Sequence, residues 1–175
     1  MTHHPDLSPY NPSLPEIVAD GLYHATFAPT YRRTRIGWLG AGHDYPVGPS
    51  PDGFRTRLLD IVRRQTVNAT RGFHVCELCP RGRSRASMLA VEHNGDTVHL
   101  GNSEIRVPGA PGEVFAAPTL IAHYVAVHDY LPPAPFVDAV LHCPDGWLSG
   151  PDAPGVPTDA TKHDFRPHGA TPDTW

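Results

Sequence analysis

Three observations predict an α+β fold. Residues 52–65 carry apolar side chains at helical spacing, residues 87–107 alternate around an Asn-Gly turn, and two short apolar helical stretches follow at 118–130 and 135–142. The expected architecture is a small antiparallel meander with two or three packed helices and a proline-rich N-terminal arm. A single α+β domain is expected over 1–143, with a metal knuckle at 74–79. Residues 144–175 are Pro- and Gly-rich and are expected to be a flexible tail.

Residues 1–50 are rich in proline and aromatics, including Pro5, Tyr10, Pro12, Pro15, Tyr23, Phe27 and Tyr31. Proline fixes φ and removes a donor, so long regular elements are not expected there. Ile36-Gly37-Trp38-Leu39 is apolar enough for one short strand at about 34–39. From Asp52 to Gln65, Phe54, Leu58, Ile61 and Val62 share one helical face, while Arg55, Arg57, Asp60, Arg63 and Arg64 occupy the rest. Ser50 or Asp52 is the expected cap. Asn94-Gly95 marks a hairpin, because a type I′ turn needs positive φ at both central residues. Glu104–Val107 reads as the third strand of the meander. Pro118 suits the first turn of the next helix, and Leu131-Pro132-Pro133 ends it.

The chain has 175 residues, 21 prolines, 16 glycines, 12 histidines and a formal net charge of -4. That balance gives no global support for a nucleic-acid partner. No apolar run approaches the ~20 residues that a membrane helix requires. The first residues lack a basic region followed by an apolar stretch, so no secretory leader is expected. Three cysteines, two of them in a C-x-x-C pair, do not suit a secreted disulfide framework and point to the cytoplasm.

The chemistry concentrates in His74-Val75-Cys76-Glu77-Leu78-Cys79. Two thiolates three positions apart can face one ion when the backbone between them turns as a knuckle, and Zn²⁺ suits sulfur and imidazole ligands. In an extended segment His74 shares a face with Cys76, which makes it a third local ligand. His123, His128 and Cys143 are the candidates for the fourth. His123 and His128 diverge by roughly 140° on a regular helix, so only one of them is expected at the ion. A thiol-redox pair and plain structural cysteines are the alternatives. Redox is disfavoured because Pro80, Gly82 and a meander follow where a thioredoxin-like site would open a helix. Arg81, Arg83 and Arg85 read first as a solvated loop.

The order of knuckle, hairpin and helix over 76–130 loosely resembles the treble-clef zinc fingers. The stretches PDLSPY at 5–10, GWL at 37–39, NATRGFHVCELCP at 68–80, GNSEIRVPG at 101–109 and AAPTLIAHYVAVHDYLPPAPFVDAV at 116–140 resemble a bacterial family of small, uncharacterised proteins. That resemblance implies a shared architecture and no reaction. Three functions follow as expectations. The first is a zinc-stabilised binding or regulatory protein with a macromolecular partner. The second is a metal-dependent hydrolase with Glu77 or Glu104 as base. The third is a treble-clef nucleic-acid module using Arg81, Arg83 and Arg85. Four protein ligands would favour structure, and three plus water would favour catalysis.

Overall fold

Alternating burial begins early in the chain. In the computed structural model, which describes residues 2–80 and 89–164, β1 (Glu16–Asp20) and β2 (Tyr23–Phe27) form a hairpin. Val18 and Ala25 point inward and are fully buried, whereas Ile17 stands 40% exposed. Gly21, at φ 58°, supplies the left-handed residue of the two-residue turn. β3 (Arg32–Arg35) follows. The strand expected at 34–39 thus lies earlier, and Gly37, at φ 71°, turns the chain away after Ile36. A Cβ at Gly37 would come within 2.9 Å of the Ile121 side chain, so glycine also permits a close approach there. The first fifty residues hold more regular structure than expected. They supply three strands, and Leu7 and Tyr10 donate backbone hydrogen bonds to Arg35 and Arg33 alongside β3.

α1 (Phe54–Arg64) has the expected buried face of Phe54, Leu58, Ile61 and Val62. Its start differs from expectation: Gly53, at φ 77°, occupies the cap position, and neither Ser50 nor Asp52 caps it. β4 (Leu89–His93) and β5 (Asp96–Leu100) pair antiparallel around Asn94 and Gly95, at φ 53° and 85°. β6 (Glu104–Pro108) is a strand as expected, but it does not extend the hairpin. Gly101, at φ 97°, redirects the chain, and β6 pairs with β7 (Glu113–Pro118) instead. Pro118 therefore ends a strand rather than starting a helix. α2 (Ile121–Val127), α3 (Ala134–His142) and β8 (Thr161–Asp164) complete the order.

The strands form small sheets: β1-β2-β8, β3-β7-β6 and the β4-β5 hairpin. All pairings between neighbouring strands are antiparallel except β3 with β7. Val67 bridges Val18 on one side and Glu104 on the other, linking the first two sheets. α1 packs against α2, α3 and β6. Phe136 of α3 receives Phe54 and Phe115 edge-on, with ring centroids 6.4 and 5.7 Å away. A second, smaller cluster joins Val18, Phe27, Val67 and Leu148. Residues 144–164 are therefore not a loose tail: Leu148 is fully buried, and β8 pairs with β2. Among the described residues, no helix is long and apolar enough to cross a membrane.

An ionic group that sequence patterning did not reveal lies beneath the linked sheets. Arg106 forms two parallel bonds to Glu16, at 2.6 and 2.8 Å, and a third to Glu104 at 2.7 Å. Arg33 stands 3.1 Å from the same Glu16 carboxylate. Tyr10 donates to Glu104 and lays its ring within 5.1 Å of both guanidinium carbons. Two cations and two anions balance, which is the condition for burying them at all.

Candidate metal centre

Residues 73–80 have no regular secondary structure, so this segment is held by its neighbours. Thr70 and His74 donate their amides to Asn102 and Gly101, at 2.7 and 2.8 Å, and so anchor the approach to the turn between β5 and β6. Gly101 is required at that contact, because a Cβ would sit 2.4 Å from the His74 carbonyl oxygen. Beyond it the chain turns at Cys76–Cys79. The amides of Leu78 and Cys79 point to the Cys76 sulfur, as the knuckle reading requires.

α2 brings two histidines to those sulfurs. His128 Nε2 lies 3.3 Å from Cys76 Sγ and 3.4 Å from Cys79 Sγ, and His123 Nε2 lies 3.3 Å from Cys79 Sγ. All four candidate ligand atoms fall within 4.8 Å of one another. A tetrahedral zinc with bonds of about 2.3 Å to sulfur and 2.0–2.1 Å to nitrogen has sulfur–nitrogen edges of roughly 3.5 Å. The cluster has that size and donor chemistry, and it could hold a metal ion. Cys76 is buried, whereas Cys79, His123 and His128 are partly exposed.

Both helix histidines take part in the cluster, contrary to the expectation of one. His123 sits in the first turn of α2, but His128 lies just past its end, at φ -114°. A wheel of 100° per residue describes only continuous helix, and here the helix stops at Val127. Their rings end 5.1 Å apart. Burial drives the local acid–base chemistry. It pushes the Cys76 thiol up to about 11, and it lowers both imidazoles, which favours their neutral, ligating form. A divalent cation is the one local charge that would reverse the thiol preference.

The other sequence candidates lie elsewhere. His74 is exposed and lines a separate cleft with Glu104. Pointing with Cys76 would have required an extended strand through 74–76, and none forms. Cys143 is buried at the end of α3, and Arg57 donates to its carbonyl. Glu104 is engaged by Tyr10 and Arg106. Glu77 is exposed and accepts from the Ala41 amide at 3.4 Å. Arg81, Arg83 and Arg85 lie outside the described residues. The treble-clef order of knuckle, hairpin and helix is present. However, β6 and β7 intervene, and the two histidines span α2 from first turn to end rather than sharing its start.

No curated protein and no solved structure matches the chain. One family does match, over residues 2–141, most of the 175. Its span takes in the knuckle and both α2 histidines. By that match the chain belongs to the family described as Domain of unknown function (DUF7919).

Proposed function

We propose that Cys76, Cys79, His123 and His128 hold one zinc ion as a closed, structural site. The observation that supports this reading is the set of sulfur–nitrogen separations of 3.3–3.4 Å among two thiols and two imidazoles. Four protein ligands complete a tetrahedron and leave no position for water. The ion then ties an irregular loop to the helix α2, two elements distant in sequence. On this reading the protein is a small zinc-stabilised binding or regulatory protein, acting through contacts with a macromolecular partner in the cytoplasm.

The hydrolase reading has one observation in its favour: three of the four candidate ligands are partly exposed. Among the described residues, both carboxylates expected as bases are engaged by other groups. Glu104 is committed to Arg106 and Tyr10, and Glu77 accepts a bond from Ala41.

Elemental analysis of protein purified without added metal tests the proposal. One zinc per chain is expected. Cobalt substitution should give the visible absorption of a tetrahedral site with two thiolate ligands. Metal-free protein with unchanged stability would refute the reading. A cobalt spectrum of five-coordinate type, sensitive to added anions, would transfer the argument to catalysis.

A further inference from the structure

Two sequence candidates that the metal cluster leaves out, His74 and Glu104, meet in a cleft of about 110 Å³. Its walls come from several separate segments. Trp38 follows β3, Asn68 and Thr70 follow α1, His74 precedes the knuckle, and Asn102 and Ser103 precede Glu104. Hydrogen bonds hold these segments in place. Asn68 accepts from the Ile17 amide and donates to Glu16, and the Thr70 hydroxyl donates to the Gly72 carbonyl. The Trp38 indole donates to Ala116 at 3.4 Å. Among the described residues, the His74 ring and the Asn102 side-chain amide nitrogen make no hydrogen bond within the protein.

The lining selects a ligand chemistry. Among the described residues it contains no lysine or arginine, so none of them compensates a phosphate or carboxylate. Among the described lining residues Glu104 carries the formal charge, and Arg106 already balances it. What remains is the His74 imidazole, able to donate and to accept, and the Asn102 amide nitrogen, able to donate, beside one aromatic side chain. A ring that carries hydroxyls on its edge and C–H groups on its face satisfies both features. We infer that this cleft binds a neutral saccharide unit, with Trp38 against the ring face and His74 and Asn102 bonding its hydroxyls. At about 110 Å³ the cleft is smaller than an ordinary ligand pocket, so it takes one edge of a single ring and no extended apolar ligand. This inference goes beyond the metal reading and does not depend on it.

The test uses the full chain as purified and a panel of methyl glycosides of glucose, galactose, mannose and N-acetylglucosamine. Saturation-transfer NMR reports binding, with a melting curve as the control for folding. At least one glycoside should bind, and His74→Ala and Asn102→Ala should each weaken it by about tenfold at unchanged melting temperature. His74 is exposed, so its variant tests the cleft without disturbing the core. Absence of binding across the panel would overturn the inference. So would binding that both variants leave intact, or displacement of the glycoside by inorganic phosphate. Glycoside binding by protein that purifies without zinc and keeps its full stability would support the cleft while the zinc proposal fails, and a zinc-loaded protein that binds no glycoside would do the reverse, so the two readings fail separately.

Discussion

Arg106 and Glu16, ninety positions apart, meet as a two-pronged ion pair in which neither side chain reaches solvent. The fork geometry matches guanidinium to carboxylate, which a lysine cannot reproduce. Arg106→Met would leave Glu16 and Glu104 with only Arg33 to balance them. Removing one partner of a buried pair costs about 3–5 kcal/mol. Arg106→Lys should recover little of it. Urea denaturation of the two variants measures the difference; a loss below about 1 kcal/mol in Arg106→Met would show that the pair is not buried in solution.

The buried tyrosines set an alkaline limit. Tyr130 donates to Asp6 at 2.7 Å, and burial, reinforced by the Asp6 charge, raises its pKa well above the ordinary tyrosine value. Burial does the same to Tyr31, with Glu16 adding to it. The unfolded chain ionises near pH 10. Above that pH the unfolded state binds fewer protons than the folded one, so stability falls as pH rises. Stability from these groups is complete below about pH 10 and is lost progressively above it. Phenolate absorbance at high pH should appear together with unfolding. Early ionisation of every tyrosine in a folded chain would contradict the burial.

Ending the chain at Cys143 should harm the fold. That cut removes Leu148 from its contact with Val18, Phe27 and Val67, and strips β8 from β2. Leu148→Ala alone should cost about 2–5 kcal/mol, as for other fully buried leucines. The shortened chain should melt lower and expose apolar surface to a hydrophobic dye. Unchanged melting would return residues 144–164 to the status of a tail.

Periodicity was legible where one element decided its own burial. The face of α1 and the Asn94-Gly95 turn are both local, and both stand where their patterns place them. Pairing was not legible. β6 follows β5 after three residues, yet its partner is β7, and only the positive φ at Gly101 shows why. β7 itself was hidden, because Pro118 resembles a helix start and a run such as Val114–Ala117 has no period of its own. Residues 144–164 misled for a different reason: composition does not record that one leucine fills a gap left by two distant strands. At the candidate metal centre, the C-x-x-C spacing marked the cysteines. The histidines were visible as candidates, but their convergence depends on where α2 stops. The Glu16–Arg106–Arg33–Glu104 group leaves no local trace, since charged residues on strands ordinarily face water.

The six candidate ligands can be divided by substitution. Cys76→Ser, Cys79→Ser, His123→Ala and His128→Ala each remove one corner of the cluster, and each should lower bound zinc and melting temperature together. His74→Ala and Cys143→Ser should keep full metal, because His74 lies in the cleft with Glu104 and Cys143 lies at the end of α3. The four corners should not be equal. Cys76 is buried and receives two knuckle amides, so serine there disturbs the turn as well as the ion. His128 approaches both sulfurs, whereas His123 approaches only Cys79. His123→Ala should therefore be the mildest of the four, lowering affinity while a three-ligand site persists. Metal content by mass spectrometry, followed during titration with a competing chelator, ranks the variants. If His74→Ala loses zinc and His123→Ala does not, the ion is held by the local His74–Cys76–Cys79 set, and the closed four-ligand site is wrong.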